Sequence, residues 1–128
     1  MKPVVVRGER MPVALGPYSH VVRLGDVLYV SGQTGIDPAT GAVPDGGFEA
    51  EARQALVNLR SVLEAAGSDL THVAKVTVWL TDVADFAALN ALFGEFFPSD
   101  PPARSAPAVA LPRNLRISIE AIAGRGED

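Results

Sequence analysis

Leu115-Arg116-Ile117-Ser118-Ile119-Glu120-Ala121-Ile122-Ala123 is the stretch that decides the fold class. Leu115, Ile117, Ile119, Ala121 and Ala123 alternate with Arg116, Ser118, Glu120 and Ile122, the two-residue period of a β-strand. One face is apolar throughout and suits a core. The other is neither polar enough for open water nor apolar enough to be buried in a monomer. The stretch His72–Thr81 repeats the pattern, with Ala74, Val76, Val78 and Leu80 against Lys75, Thr77, Trp79 and Thr81. Lys75, Thr77 and Trp79 extend the mixed face, as do small residues such as Ala106 and Ala108. A sheet covered on one side, with polar sites set into the other, fits a subunit interface.

Working outward, Val21–Ile36 reads as two strands joined at Gly25-Asp26, a tight hairpin turn. Residues 3–6 make a short first strand, and Arg104–Leu111 makes the penultimate one, connected to the last through Pro112-Arg113-Asn114. Residues 37–47 are loop chemistry, rich in Gly, Pro and Asp. Phe48–Ala66 carries Ala52, Ala55, Leu56, Leu59, Val62, Leu63 and Ala66 at three- and four-residue steps, followed by Gly67 as a left-handed cap. A second helix is predicted over about 85–97, with Phe86, Leu89, Phe93, Phe96 and Phe97 on its buried side, broken by Pro98 to Pro102. The order β-β-β-α-β-α-β-β gives an α+β fold, about six strands with two helices on one face. Residues 1–128 read as one domain, with 124–128 a loose tail.

The chain has 128 residues, no cysteine and a formal net charge of −4. A chain of this length buries roughly two-thirds of its unfolded surface without staples. The missing thiols remove disulfides, iron–sulfur clusters and thiolate zinc sites. His20 and His72 stand apart without ligand spacing, so no metal is expected. With a pI near 5.1 and no basic run, nucleic acid is disfavoured as a partner. No stretch has the length of a membrane span or the pattern of a signal peptide, so the expectation is a cytoplasmic protein without a membrane partner.

Few residues stand out chemically. Arg104 follows Pro101-Pro102-Ala103, a stiff lead-in, and a guanidinium matches a carboxylate with two parallel hydrogen bonds. The alternative is an ordinary ion pair at a strand start. Glu120 interrupts an isoleucine-rich strand, where it can hold or activate a water as general base or pair with a cation such as Arg116. Asn90 shares a helical stripe with Phe86, Phe93 and Phe97, and Asn58 sits beside Ala55 and Val62. Both amides read first as buried side chains that tie down backbone. Gly16-Pro17-Tyr18-Ser19-His20 and Ser31-Gly32-Gln33 are turn and strand-end segments where backbone can approach a ligand. His20 has no evident serine or cysteine nucleophile to serve.

Taken in order, Gly16 to His20, Tyr29 to Gln33, Asp37-Pro-Ala-Thr-Gly41, Asn58-Leu59, Val62 to Gly67, Val73 to Leu80, Asp85-Phe86 with Asn90, Pro102-Ala-Arg-Ser105 and Ile119 to Ala123 resemble the RidA/YjgF-type reactive intermediate deaminases. The resemblance spans about residues 14–123. It implies a chorismate-mutase-like fold assembled as a homotrimer, with active sites between subunits. It also implies hydrolysis of 2-imino acids such as 2-iminobutanoate and 2-iminopropanoate to 2-oxo acids and ammonia, without a cofactor. The implied sources are pyridoxal-phosphate-dependent dehydratases. Carried onto this chain, Arg104 would bind the substrate carboxylate and Glu120 would orient or activate water. Tyr18, Ser31, Gly32 and Asn90 would line the pocket. Two departures stand out. Ala106 replaces the cysteine many members carry, so that position can act only through its backbone. The segment from Phe97 to Pro102 is compressed, which bears on substrate range.

Two other classes share these residues. A non-catalytic module binding 2-oxo acids would also use Arg104, although it gains nothing from a nearby Glu120. RNA cleavage or translation inhibition conflicts with the acidic balance, and chorismate rearrangement rests on fold analogy alone.

Overall fold

The strand that carries Glu120 lies inside the sheet. In the computed structural model, which describes residues 1–127, the first three strands are β1 (Val4–Val5), β2 (Val21–Leu24) and β3 (Val27–Thr34). Then follow α1 (Gly47–Ala65), β4 (Val73–Leu80), α2 (Phe86–Phe96), β5 (Ala103–Ser105) and β6 (Ile117–Gly124). The sheet order is β1-β2-β3-β6-β4-β5, so the last strand inserts between the hairpin and β4. All pairings are antiparallel except β4 with β5, which makes the sheet mixed. Six strands and two helices form the α+β arrangement that the alternating pattern predicts.

Apolar periodicity explains the core. Ala52, Ala55, Leu56, Leu59, Val62 and Leu63 form one buried stripe of α1, and Leu89, Leu92 and Phe93 are the buried residues of α2. They pack with Val76 and Val78 of β4 and with Ile117, Ile119, Ala121 and Ala123 of β6 in one cluster. Each large side chain buried there contributes about 1.5–3 kcal/mol relative to exposure. Gly67 ends the first helix at φ +78, a conformation that costs a residue with a Cβ. Asn58 behaves as expected: its amide donates to the carbonyls of Thr34 and Ile36 at 2.8 Å each and so anchors the end of β3 to α1.

Several expectations change. Ala74 is exposed and Val73 takes the buried place, because the β4–β6 register shifts between Val73 and Lys75 and lets the larger side chain face the core. Arg104–Leu111 is not a continuous strand. β5 stops at Ser105 and resumes only as a bridge from Ala108 to Leu80, since Pro107 has no N–H to donate. The β4–β5 register sets Arg104 opposite Val76, so Arg104 turns toward the helices. Ala106 likewise packs against the core instead of joining the mixed face. Phe86 is 40% exposed and belongs to the shoulder of α2, while Leu92 fills the core position. The expected loose tail begins tied down: Gly124 closes β6, and the Arg125 N–H donates to the Asp26 carbonyl at 2.8 Å. Asp128 lies outside the described residues.

The second face of the sheet carries Lys75, Thr77, Trp79, Ser118, Glu120, Tyr29 and Ile122. Tyr29 and Ile122 are exposed and the rest half-buried, the mixture that the sequence pattern predicts. No helix is long and apolar enough to cross a membrane among the described residues.

Candidate active site

Arg104 is placed by β5 and held by α2. Its Nη2 donates to Asn90 Oδ1 at 2.8 Å. Its guanidinium carbon sits 5.3 Å from the Phe86 ring centre and 4.9 Å from that of Phe93. Such cation–π contacts contribute about 0.5–1 kcal/mol each at exposed sites. Together they fix the plane of the fork, and the Asn90 bond uses only one of its five N–H donors. Asn90 itself is exposed, so the reading of a buried amide fails. It lies on the side of α2 that the Arg104 side chain reaches from β5, and its carbonyl serves the arginine instead of backbone. Asn90, Phe93, Gly94, Phe97, Pro101 and Arg104 line an open cleft of about 290 Å³. Phe97 and Pro101 bring the segment after α2 into that wall, beside Arg104.

Glu120 occupies the opposite face. It pairs with Thr77 across β4 and β6, half-buried, and its Oε1 accepts a hydrogen bond from the indole Nε1–H of Trp79 at 2.8 Å. Arg116 makes no ion pair with it among the described residues; its Nη1 lies instead 3.8 Å from where a Cβ on Gly47 would stand. Gly32 borders this group, where a Cβ would come within 2.5 Å of Ser118 Oγ. The Ser118 hydroxyl can rotate away, so glycine eases but does not dictate the close approach of β3 to β6 at the bulge between Val30 and Gln33.

The third group surrounds Tyr18. Ser31 Oγ donates to the Ser19 carbonyl at 2.6 Å, and Gln33 Nε2 donates to the Ser31 carbonyl and to His20 Nδ1. His20 packs edge-on against Tyr18, ring centres 5.6 Å apart. With Nδ1 accepting, the ring carries its proton on Nε2, which is buried without a partner among the described residues. His20 thus acts as a spacer holding the Tyr18 ring.

The residues singled out in the sequence fall into these three places. Arg104 meets Asn90, with Ala106 two residues further along the same side. Gly32 lies against Ser118, two residues before Glu120 on β6, and Tyr18 is linked to Ser31 through Ser19 and His20. One chain does not bring Arg104 and Glu120 together, because the sheet lies between them. Sequence reasoning missed three roles: Phe86 and Phe93 as the arginine's bed, Trp79 as the carboxylate's donor, and Glu51. Glu51 is 4% exposed, and its Oε2 accepts the Arg116 N–H at 2.6 Å. Helical periodicity marks position 51 beside Ala52 and Ala55, but a buried carboxylate with a backbone partner has no sequence signature. Among the described residues no group of three or more His, Cys, Asp or Glu side chains could hold a metal ion.

A family model described as endoribonuclease L-PSP matches residues 8–124. The chain belongs to this family, that of the RidA and YjgF proteins. A 2-iminobutanoate/2-iminopropanoate deaminase of Capra hircus is 46% identical over 123 residues, covering 95% of this chain and 90% of the relative. The crystal structure of a putative endoribonuclease from Thermotoga maritima superposes with a TM-score of 0.89 at 44% identity, covering 99% of this chain and all of the other. The YjgF gene product of E. coli gives 0.87 at 42% identity, covering 95% and 98%.

Proposed function

We propose that this protein hydrolyses 2-imino acids, such as 2-iminobutanoate and 2-iminopropanoate, to 2-oxo acids and ammonia. The observation that carries the reading is Arg104, oriented by Asn90 and two phenylalanine rings at the edge of a small cleft, with donors left for a carboxylate. The deaminase activity in the name of the Capra hircus relative supports it.

The chain acts as one domain, residues 1–128, in a chorismate-mutase-like homotrimer. Arg104 and Glu120 lie on opposite sides of one sheet, so a site using both needs the Glu120 face of a second copy beside the Arg104 cleft of the first. Three equivalent clefts follow from threefold closure. The half-polar sheet face, with Tyr29 and Ile122 exposed, is the surface that such packing would cover.

In that cleft Arg104 holds the substrate carboxylate and performs no proton transfer. The protonated imine carbon is already electrophilic, so catalysis needs positioning and one oriented water. Glu120 accepts a proton from that water as the C–O bond forms. The C=N π pair moves to nitrogen as the C–O bond forms, and Glu120 passes its proton to that nitrogen. The C–N bond then breaks with its electron pair leaving on ammonia, while the hydroxyl proton passes to Glu120 and the C=O bond forms. Tyr18, Ser31, Gly32, Asn90 and the Ala106 backbone line the pocket. No cofactor enters the reaction. The substrate class points to pyridoxal-phosphate-dependent dehydratases as the source enzymes, in the cytoplasm.

The test is formation of 2-oxobutanoate from imine generated in situ by a dehydratase, with and without the protein. Acceleration that Arg104→Ala abolishes, with the assembly intact, is the expected result. Binding of 2-oxobutanoate without acceleration of any of several imines would replace hydrolysis by carboxylate binding.

A further inference from the structure

We propose that Trp79 is a positioning residue for the reaction, aiming the Glu120 carboxylate through its indole N–H. The inference rests on the reading of Glu120 as the group that holds the attacking water.

The β4–β6 register sets Thr77 opposite Glu120 and Trp79 opposite Ser118. Trp79 and Glu120 are therefore diagonal neighbours on the open face, within reach of a long aromatic side chain. The Nε1–Oε1 distance of 2.8 Å is that of a charge-assisted bond. It is the side-chain hydrogen bond that Glu120 makes among the described residues.

Indole suits this task because it is a donor only, with one N–H. It cannot take the water's proton or neutralise the carboxylate, as a lysine or arginine would. It occupies one lone-pair site on Oε1 and leaves Oε2 to accept from water. The ring is rigid and half-buried at the register position opposite Ser118. A glutamate without such a tether would spread over several rotamers and spend less time aimed at one water. The bond thus affects the step in which water attacks, while substrate binding is left to the Arg104 of a neighbouring copy.

Trp79 is the chain's only tryptophan, which gives the proposal a direct readout. The experiment pairs kinetics of Trp79→Phe and Glu120→Gln with the single indole N–H resonance of the wild type and of Glu120→Ala. Trp79→Phe is expected to lower kcat about tenfold, equivalent to about 1.4 kcal/mol, with KM for 2-iminobutanoate within about twofold. The indole resonance is expected to move upfield in Glu120→Ala. An unchanged kcat in Trp79→Phe beside an inactive Glu120→Gln would overturn the positioning role and leave the hydrolytic reading standing. A fully active Glu120→Gln would overturn the role of Glu120 and with it the positioning role of Trp79, with hydrolysis itself still standing. An indole resonance unmoved in Glu120→Ala would overturn the proposal even where Trp79→Phe fails to fold.

Discussion

Arg104→Lys tests the substrate clamp more sharply than removal of the charge. Lysine keeps the positive charge but loses the planar fork, and its ammonium cannot make two parallel bonds in one plane. The native guanidinium has one donor on Asn90 and lies against the Phe86 and Phe93 rings, which leaves a pair of N–H groups for a carboxylate. A hydrogen bond to a charged group contributes about 1.5–3 kcal/mol. Losing one of the two substrate bonds therefore lowers kcat/KM roughly 10- to 150-fold at about 1.4 kcal/mol per decade. Losing both in Arg104→Ala doubles that free energy. The loss falls mainly on KM if the carboxylate is gripped equally in substrate and transition state. Steady-state kinetics with 2-iminobutanoate, alongside circular dichroism and mass measurement of the assembly, separates this from unfolding. An Arg104→Lys protein with kcat/KM within twofold of the wild type would refute the fork and leave a simple charge effect.

Three predictions concern the frame. Asn58→Ala strips the Thr34 and Ile36 carbonyls of their side-chain donor. At about 1 kcal/mol or more for each bond, it should destabilise the fold by about 2–3 kcal/mol in urea unfolding, with an unchanged slope. Gly35→Ala would put a Cβ 2.3 Å from the Glu51 carbonyl oxygen, a backbone atom that cannot swing aside. A cost of about 3 kcal/mol is expected, seen as a Tm fall of roughly 10 °C. The Asp69 carboxyl is held below its ordinary range, first by the Thr71 hydroxyl and then by His72. The stability it supplies is present above the unfolded carboxylate range and lost as pH falls through its own lowered value. Asp69→Ala should therefore lower Tm by a few degrees at pH 7, and by progressively less as the pH falls below about 4.

Local chemistry was legible where one period governs a whole element. Leu56, Leu59 and Leu63 announce their helix, and Ile117, Ile119 and Ala121 their strand. Long-range pairing was not. Nothing in the residues of β6 says that it inserts between β3 and β4, because strand order depends on which edges remain after the helices pack. That order decides the site. Once β5 joins β4 in parallel with Arg104 opposite Val76, the arginine faces α2, and Phe86 and Asn90 become its support instead of core residues. Ala106 is drawn to the same side. Trp79 was visible as a member of the mixed face, but its bond to Glu120 exists only through the cross-strand diagonal. Arg104 and Glu120 were both identifiable, one by its proline lead-in and the other by its apolar neighbours. Their separation by the sheet was not.

That separation has a chemical consequence. A guanidinium and a carboxylate left within reach of each other in one chain would pair, and the pair would have to be broken before either could face a neighbouring copy. Here each charge is positioned by neutral groups. Arg104 rests on an amide oxygen and two aromatic faces, and Glu120 takes its hydrogen bond from an indole. Among the described residues neither belongs to an ion pair, whereas Arg53 and Glu95, which link the two helices, are fully engaged with each other at 2.8 Å. A neutral partner fixes direction without cancelling charge, so the full electrostatic attraction is kept for the ligand. The same logic explains why Asn serves at position 90 where an aspartate would bind Arg104 more tightly. Asn90→Asp should therefore lock the arginine more firmly and weaken the grip on a carboxylate. Tighter local order coupled to a raised KM is the signature to measure, and an unchanged KM would show that the Arg104 charge is not what holds the substrate.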